Sequence, residues 1–137
     1  MLEKSDVEIM TAALTVGVTR SAQDSGMAKV TPLHRQVVQG MPTVPDQEVR
    51  VLTALLLPGD VTPYHSHRHP VTVYMLEGTF TLELEDRNPV NIEAGEVFVE
   101  PSGVRMTGRN ERDLPARMAL FYVCEPDEPF ADPANAH

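Results

Sequence analysis

Residues 71–85 read VTVYMLEGTFTLELE and contain two runs of strand-forming residues separated by Gly78. In the second run Phe80, Leu82 and Leu84 alternate with polar residues, which is the period-two pattern of a half-buried strand. A glycine between two such runs is typical of a hairpin or a tight bend. The segment therefore predicts two strands that meet at a sharp change of direction.

Strand-like runs recur on both sides of this segment, and the prolines and glycines cluster between them. Further strands are predicted at 48–57 (EVRVLTALLL), 96–100 (EVFVE) and 117–124 (RMALFYVC), with turns at 58–60, 86–89 and 101–103 and a connection at 91–95. Convincing helix signals are missing from residues 48–124. Many short strands with Gly/Pro turns predict an all-β sandwich or barrel.

The composition describes a small acidic domain. A chain of 137 residues fits a single domain, and 11 Lys and Arg against 20 Asp and Glu give a net charge of −9. This charge argues against a nucleic acid or an anionic membrane surface as a partner, because both attract cationic patches. No apolar run is long enough for a membrane span. A single cysteine, Cys124, excludes an intrachain disulfide framework.

The two ends differ in character from the centre. Residues 1–47 are predicted to form an N-terminal arm and first strands, with Ser5 and Glu8 as the capping box of a short helix. The leader MLEKSDVE carries one lysine against three acids, which favours a cytoplasmic protein; it is periplasmic if residues 9–18 are a signal remnant. Residues 125–137 form an acidic, proline-rich tail, expected to lie over the barrel or to be disordered at its tip. All three segments belong to one domain.

Three histidines lie within five residues, as His65-Ser-His67-Arg-His69. In an extended segment, side chains two apart point to the same face, and this face continues through Val71 into the barrel interior. Imidazole is a ligand for zinc, copper, nickel, iron and manganese. Closely spaced imidazoles are costly to bury without a shared partner, so the cluster predicts a bound divalent transition metal.

Glycine, histidine and proline spacings in residues 48–124 resemble the two motifs of the cupin family. The first motif is matched by Gly59, His65, His67 and Gly78. The second motif is matched by Gly95, Pro101, Gly103 and Asn110. The resemblance implies a small, RmlC-like, single-domain cupin: a jelly-roll barrel, or double-stranded β-helix, in which the matched glycines and proline mark turns. It also implies a homodimer.

The metal site that the resemblance implies is degenerate. Val71 stands where the family has its ligand glutamate, and Met106 where it has its third histidine. Met106 either ligates a soft ion such as copper or fills the core. His69 either supplies a third nitrogen or is aimed at solvent by Pro70. We therefore expect His65 and His67 to bind metal with His69 or Met106, and the missing carboxylate argues against a 2-His-1-carboxylate iron site.

Three functions are compatible with these residues. One is a metal-dependent oxygenase or isomerase of a small organic substrate, in which the ion polarises a carbonyl or enolate. Another is a non-catalytic sensor or storage protein for a small ligand or metal. In the third, a metal-free, epimerase-like barrel uses histidine as acid and base. Arg105, Tyr74 and Phe80 are candidate substrate contacts, although the parity of Tyr74 favours the other sheet face or a subunit interface.

Overall fold

The computed structural model describes residues 26–135, and within this range all regular structure is β-strand. Residues 26–36 belong to one compact unit and residues 37–135 to a second unit, which contains all nine strands. The strands are β1 Glu48–Leu56, β2 His65–Ser66, β3 Val71–Glu77, β4 Thr79–Leu84, β5 Val90–Glu93, β6 Val97–Glu100, β7 Met106–Arg109, β8 Ala116–Cys124 and β9 Asp132–Pro133. No described residue belongs to a helix that could cross a membrane.

The strands form two antiparallel sheets. The first sheet has the order β1-β8-β3-β6 and the second the order β5-β4-β7-β2-β9. Strands β3 and β4 are consecutive in the chain but lie in different sheets, so Gly78 marks a bend between sheets and not a hairpin. The all-β jelly-roll architecture predicted from the sequence is confirmed.

The core lies between the inner faces of the sheets. Its fully buried side chains include Val71, Val73, Met75, Leu82, Met106, Met118 and Tyr122. Phe80, Leu82 and Leu84 point into it as their alternation predicts, but β4 is not half-exposed as expected. The alternating Thr79 and Thr81 are also buried, and their hydroxyls are satisfied by donating to the side chains of Glu93 and Asn91 on β5.

Two local expectations are wrong. Residues 91–95 were predicted to be a connection, yet β5 begins at Val90 and pairs with β4 through four residues. Polar residues flank its single buried side chain, Ile92, so the pattern is too weak to predict a strand. The histidine segment is extended only at His65 and Ser66, and the chain then bends at Arg68 and His69. The helix predicted near Ser5 lies outside the described residues.

Candidate functional site

A cavity of about 440 Å³ opens between the inner faces of the two sheets. Its wall is mainly apolar and includes Ala54, Leu56, Phe80, Leu82, Met118 and Leu120. Its ionisable side chains are His65, His67, Glu100 and Asp132. The C-terminal segment closes one side, where Phe130, Ala131 and Pro133 complete the wall. A volume in the lower part of the usual range for ligand pockets suits one small molecule.

His67 is almost completely buried, with 2% of its surface exposed, and both ring nitrogens have protein partners. Nδ1 lies 2.7 Å from the carbonyl oxygen of Phe130, which can only accept, so Nδ1 carries a hydrogen. Nε2 lies 3.2 Å from Oε1 of Glu100. Two lone pairs repel at this distance, so the contact needs either a proton on one of the two groups or a cation between them. His67 and Glu100 therefore form a buried acid–base pair.

Glu100 was not singled out from the sequence. It ends β6 and is the direct partner of Val71 on β3, so both side chains lie on the inner face of the sheet. Val71 occupies the position where the cupin motif has its glutamate, and Glu100 thus brings a carboxylate to the neighbouring strand. One sequence signal could have identified Glu100. It lies two residues after Phe98, which packs against the core, so its side chain is expected on the same face of the strand.

His65 lines the same cavity and is less buried than His67. Its Nδ1 lies 2.6 Å from the carbonyl oxygen of Pro63 and therefore donates, which leaves the lone pair on Nε2. The His65 and His67 rings meet edge to face, with centroids 4.8 Å apart. The structure thus brings together two of the predicted histidines, His65 and His67. The Nε2 atom of His65 adds a second imidazole nitrogen to that of His67.

His69 does not join them. Because the chain bends before Pro70, the ring lies outside the cavity wall, where Nδ1 donates to the carbonyl oxygen of Gly40 at 2.7 Å. Its Nε2 lies 3.2 Å from Oε1 of Glu128. Its predicted shared face with His65 and His67 is therefore wrong, and its half-buried ring lies against Glu128 of the C-terminal segment and is not aimed at solvent.

Met106 lies in the apolar core. It is fully buried on β7, opposite His65 on one side and Leu84 on the other. This location agrees with the packing alternative for Met106, although the register also places its side chain on the same face as His65.

The three candidate substrate contacts lie in different parts of the structure, and one of them lines the cavity. Phe80 lines the cavity, and its ring packs directly over Gly108, where any added Cβ atom would collide with it. Arg105 instead pairs with Glu85 at 2.7 Å, outside the cavity wall. Tyr74 faces outward from β3, opposite Ala119 on β8, as its parity predicts.

The donor set does not form a ready-made metal site. Among residues 26–135, no group of three or more His, Cys, Asp or Glu side chains is arranged to hold an ion. Both nitrogens of His67 and both of His69 are already in contact with protein groups, which leaves His65 Nε2 uncommitted. The His67–Glu100 pair joins a basic ring nitrogen to a carboxylate, a combination that can exchange a proton.

Aromatic rings and one ion pair complete the surroundings. The Phe130 ring packs against His67 with centroids 4.7 Å apart and meets Tyr122 edge to face at 5.2 Å. Burial raises the pKa of Tyr122, which keeps its hydroxyl protonated at neutral pH. At the rim, the hydrogen bond from the Arg68 guanidinium lowers the pKa of Asp132, which is therefore ionised.

Comparison with known proteins agrees with this architecture. A family model described as a cupin domain matches residues 52–123. No curated protein matches the sequence.

Solved structures supply further matches to the fold. A cupin-like protein of Thermotoga maritima is 17% identical, with 64% of this chain and 65% of that chain covered and a TM-score of 0.55. An RmlC-like cupin with a double-stranded β-helix fold from Methanocaldococcus jannaschii is 24% identical, with 73% of this chain and 94% of that chain covered and a TM-score of 0.55. The polyketide cyclase RemF of Streptomyces resistomycificus is 21% identical over 65% of this chain and 62% of its own, also with a TM-score of 0.55. The present chain thus spans just under two thirds of the first and third of these proteins.

Proposed function

This chain belongs to the cupin family, and on that premise we propose that it binds one small, mainly apolar organic molecule in its cavity and moves a proton on that molecule. The observation that carries the proposal is the 3.2 Å contact between His67 Nε2 and the Glu100 carboxylate, buried in a mainly apolar wall. In this proposal the two side chains share one proton. Pairs of titratable groups held in a water-poor pocket are typical of acid–base catalysis.

The cavity wall restricts the class of substrate. A sugar would bury many hydroxyl groups, each of which needs a hydrogen-bond partner. The apolar side chains of the wall offer none, and its polar groups are few. We therefore expect a molecule with one or two polar atoms, such as a small unsaturated ketone.

The proposed reaction is an isomerisation that consumes no co-reactant. His65 Nε2 removes a proton from the carbon beside the ketone, while the His67–Glu100 pair gives its proton to the developing enolate oxygen. The dienol then returns its hydroxyl proton to the pair as His65 delivers its proton to the far carbon of the conjugated system. One C–H bond breaks, another forms and the double bond moves, so all atoms and electrons balance.

The positions of the histidines support separate roles. Hydrogen bonds to the carbonyl oxygens of Pro63 and Phe130 fix which nitrogen carries hydrogen in His65 and His67. Each ring is thus oriented by the backbone, with Nε2 as its reactive atom. Such preorientation places base and acid before the substrate arrives.

A metal-dependent cupin is the second candidate. One observation favours it: His65 donates Nδ1–H to a carbonyl oxygen and keeps Nε2 free, which is the arrangement common to metal-ligating histidines. His65, His67 and the Glu100 carboxylate would then hold the ion once the shared proton was lost. When bound, such an ion would act as a Lewis acid towards a substrate oxygen.

The test measures solvent deuterium incorporation into a panel of small apolar enones, read by NMR. The wild-type protein is expected to exchange the carbon-bound protons of at least one member. The Glu100→Gln variant should exchange at least about 100-fold more slowly, since acid–base groups typically contribute 10²–10⁴-fold. Glu77→Gln is the matched control, because this exposed carboxylate pairs with Arg117 at the outer surface.

Elemental analysis of untagged protein separates the two candidates. We expect substoichiometric metal and exchange activity that survives chelators. Stoichiometric metal whose removal abolishes exchange would favour the metal-dependent enzyme instead. Ligand binding without exchange, or unchanged exchange in Glu100→Gln, would contradict the proton-transfer role.

A further inference from the structure

The C-terminal segment crosses the cavity between two anchors of different strength. We use the name root for residues 125–128 and the name cover for residues 129–134. The root follows β8 directly, and the cover contains β9, which pairs with only two residues of β2. Phe130, Ala131, Asp132 and Pro133 of the cover form part of the cavity wall.

The root is held by buried or multiple contacts. Glu128 has 7% of its side chain exposed and lies against His69, and its main-chain oxygen accepts a hydrogen bond from Arg50 at 2.6 Å. The amide of Asp127 donates to the Glu48 carboxylate at 2.8 Å. Contacts from two separate parts of the chain, β1 and the segment around His69, therefore fix the root.

The far end of the cover is held by exposed contacts. Arg68 binds the Asp132 carboxylate through two nitrogens, at 3.0 and 3.1 Å, with 51% of its side chain exposed. The amide of Ala134 donates to the carbonyl oxygen of Tyr64 at 3.0 Å. Solvent-exposed ion pairs and a two-residue ladder stabilise little, so this end opens more readily than the root.

The middle of the cover touches the reactive pair. The Phe130 ring packs on His67, and its carbonyl oxygen accepts the Nδ1 hydrogen of the same ring. Moving the cover would therefore open one wall of the cavity and remove the group that fixes the His67 tautomer. Ligand access to the cavity and the orientation of the His67 ring therefore depend on the same six residues, 129–134.

We propose that residues 129–134 are a hinged cover that swings from the root to admit the ligand and, on closing, restores the His67 orientation. Its link to catalysis rests on the proposed function, whereas the motion rests on the anchors alone. A closing wall made of a phenylalanine ring and proline excludes water from the proton pair and favours an apolar ligand.

Amide hydrogen exchange tests the motion without any ligand. In the wild-type protein, we expect the Ala134 amide to be at least 100-fold less protected than the Asp127 amide. Asp132→Asn should lower the protection of Ala134 further and leave Asp127 unchanged. Asp86→Asn is the control, because it weakens a similar exposed pair with Arg87 outside the cover. Equal protection of Ala134 and Asp127 would overturn the proposal.

A reversible disulfide between the cover and β2 tests whether ligand access depends on movement of the cover. Ser66 and Asp132 are direct cross-strand partners, so Ser66→Cys combined with Asp132→Cys places two thiols within disulfide reach. The native Cys124 is buried and does not compete. With the neutral fluorescent probe N-phenyl-1-naphthylamine, uptake should be at least tenfold slower in the oxidised variant and recover on reduction. Equal rates in both redox states would refute the cover.

The two experiments separate failure of the cover from failure of the proposed function. If the probe does not enter even the wild-type protein, the ligand-binding proposal fails. The amide protections of Ala134 and Asp127 then still decide whether the cover opens. If the cover opens but no enone exchanges deuterium, the motion holds and the isomerisation does not.

Discussion

At the scale of single residues, the site is governed by the cost of burying charge. A carboxylate with 7% of its side chain exposed, as in Glu100, is costly unless a partner compensates for its lost hydration. His67 is that partner, with Nε2 at 3.2 Å from the carboxylate. A buried pair of this kind is weak evidence for stability and better evidence for function, because breaking it leaves an uncompensated group.

The rim ion pair gives a prediction of pH dependence. Arg68 lowers the pKa of Asp132 from its ordinary value of 3.8, so the ionised carboxylate is favoured in the folded protein. The stabilisation that the ion pair gives to the folded protein is complete above the ordinary pKa of Asp132 and is lost as the pH falls through the lowered pKa. Carboxyl ¹³C NMR should therefore show Asp132 titrating below 3.8, and Arg68→Gln should return it towards that value. A wild-type titration at or above the ordinary value would contradict the pairing.

At the scale of elements, the bend after β3 decides how the chain passes from one sheet to the other. Gly78 has φ +76°, a conformation that L side chains rarely adopt, and lies against the backbone of Pro115 and Ala116. Positive φ alone favours glycine, and the close backbone approach excludes any side chain.

Substitution of this glycine should be unusually damaging. Gly78→Ala adds both backbone strain and a collision with main-chain atoms that cannot rotate away, so we expect a loss of roughly 3 kcal/mol in the free energy of unfolding. Gly59→Ala is the matched control: φ is +90°, but nothing lies within 4 Å of the added atom. It should cost only about 1–2 kcal/mol. Equal urea midpoints for the two variants would show that the collision is relieved.

At the scale of the whole molecule, the outer face of the first sheet carries exposed apolar side chains. Val51 on β1 and Phe121 on β8 are direct partners on this face, with 65% and 42% of their surfaces exposed. Val49 and Leu55 continue the face along β1. Several exposed apolar side chains on one sheet face are characteristic of an interaction surface, and a second copy of this chain suits the homodimer expected from the family resemblance.

The oligomeric state can be measured by light scattering after size exclusion. We expect a mass twice that of the 15.1 kDa chain and a monomer after Phe121→Arg, since the buried charge would oppose association. Leu114→Arg is the control, because this exposed leucine lies in the loop between β7 and β8. A monomeric wild-type protein, or equal loss of the dimer in both variants, would contradict this assignment.

Local sequence patterns were sufficient to predict most of the strands and the family. Alternation in residues 79–84 and the apolar run of residues 117–124 depend on neighbours along the chain, and the glycine and proline spacings mark turns that are equally local. The contact between the His65 and His67 rings was also predictable, because both residues belong to one short segment. The weakly patterned β5 was not.

The surroundings of those histidines, in contrast, depend on how distant parts of the chain fold together. Glu100 reaches His67 through the pairing of β3 with β6, Phe130 reaches it from 63 positions away, and a bend turns His69 towards Glu128. These contacts depend on register between distant strands and on the path of the C-terminal segment. Local spacing does not encode either, because hydrogen-bond partners across a sheet are fixed by the packing of the whole core.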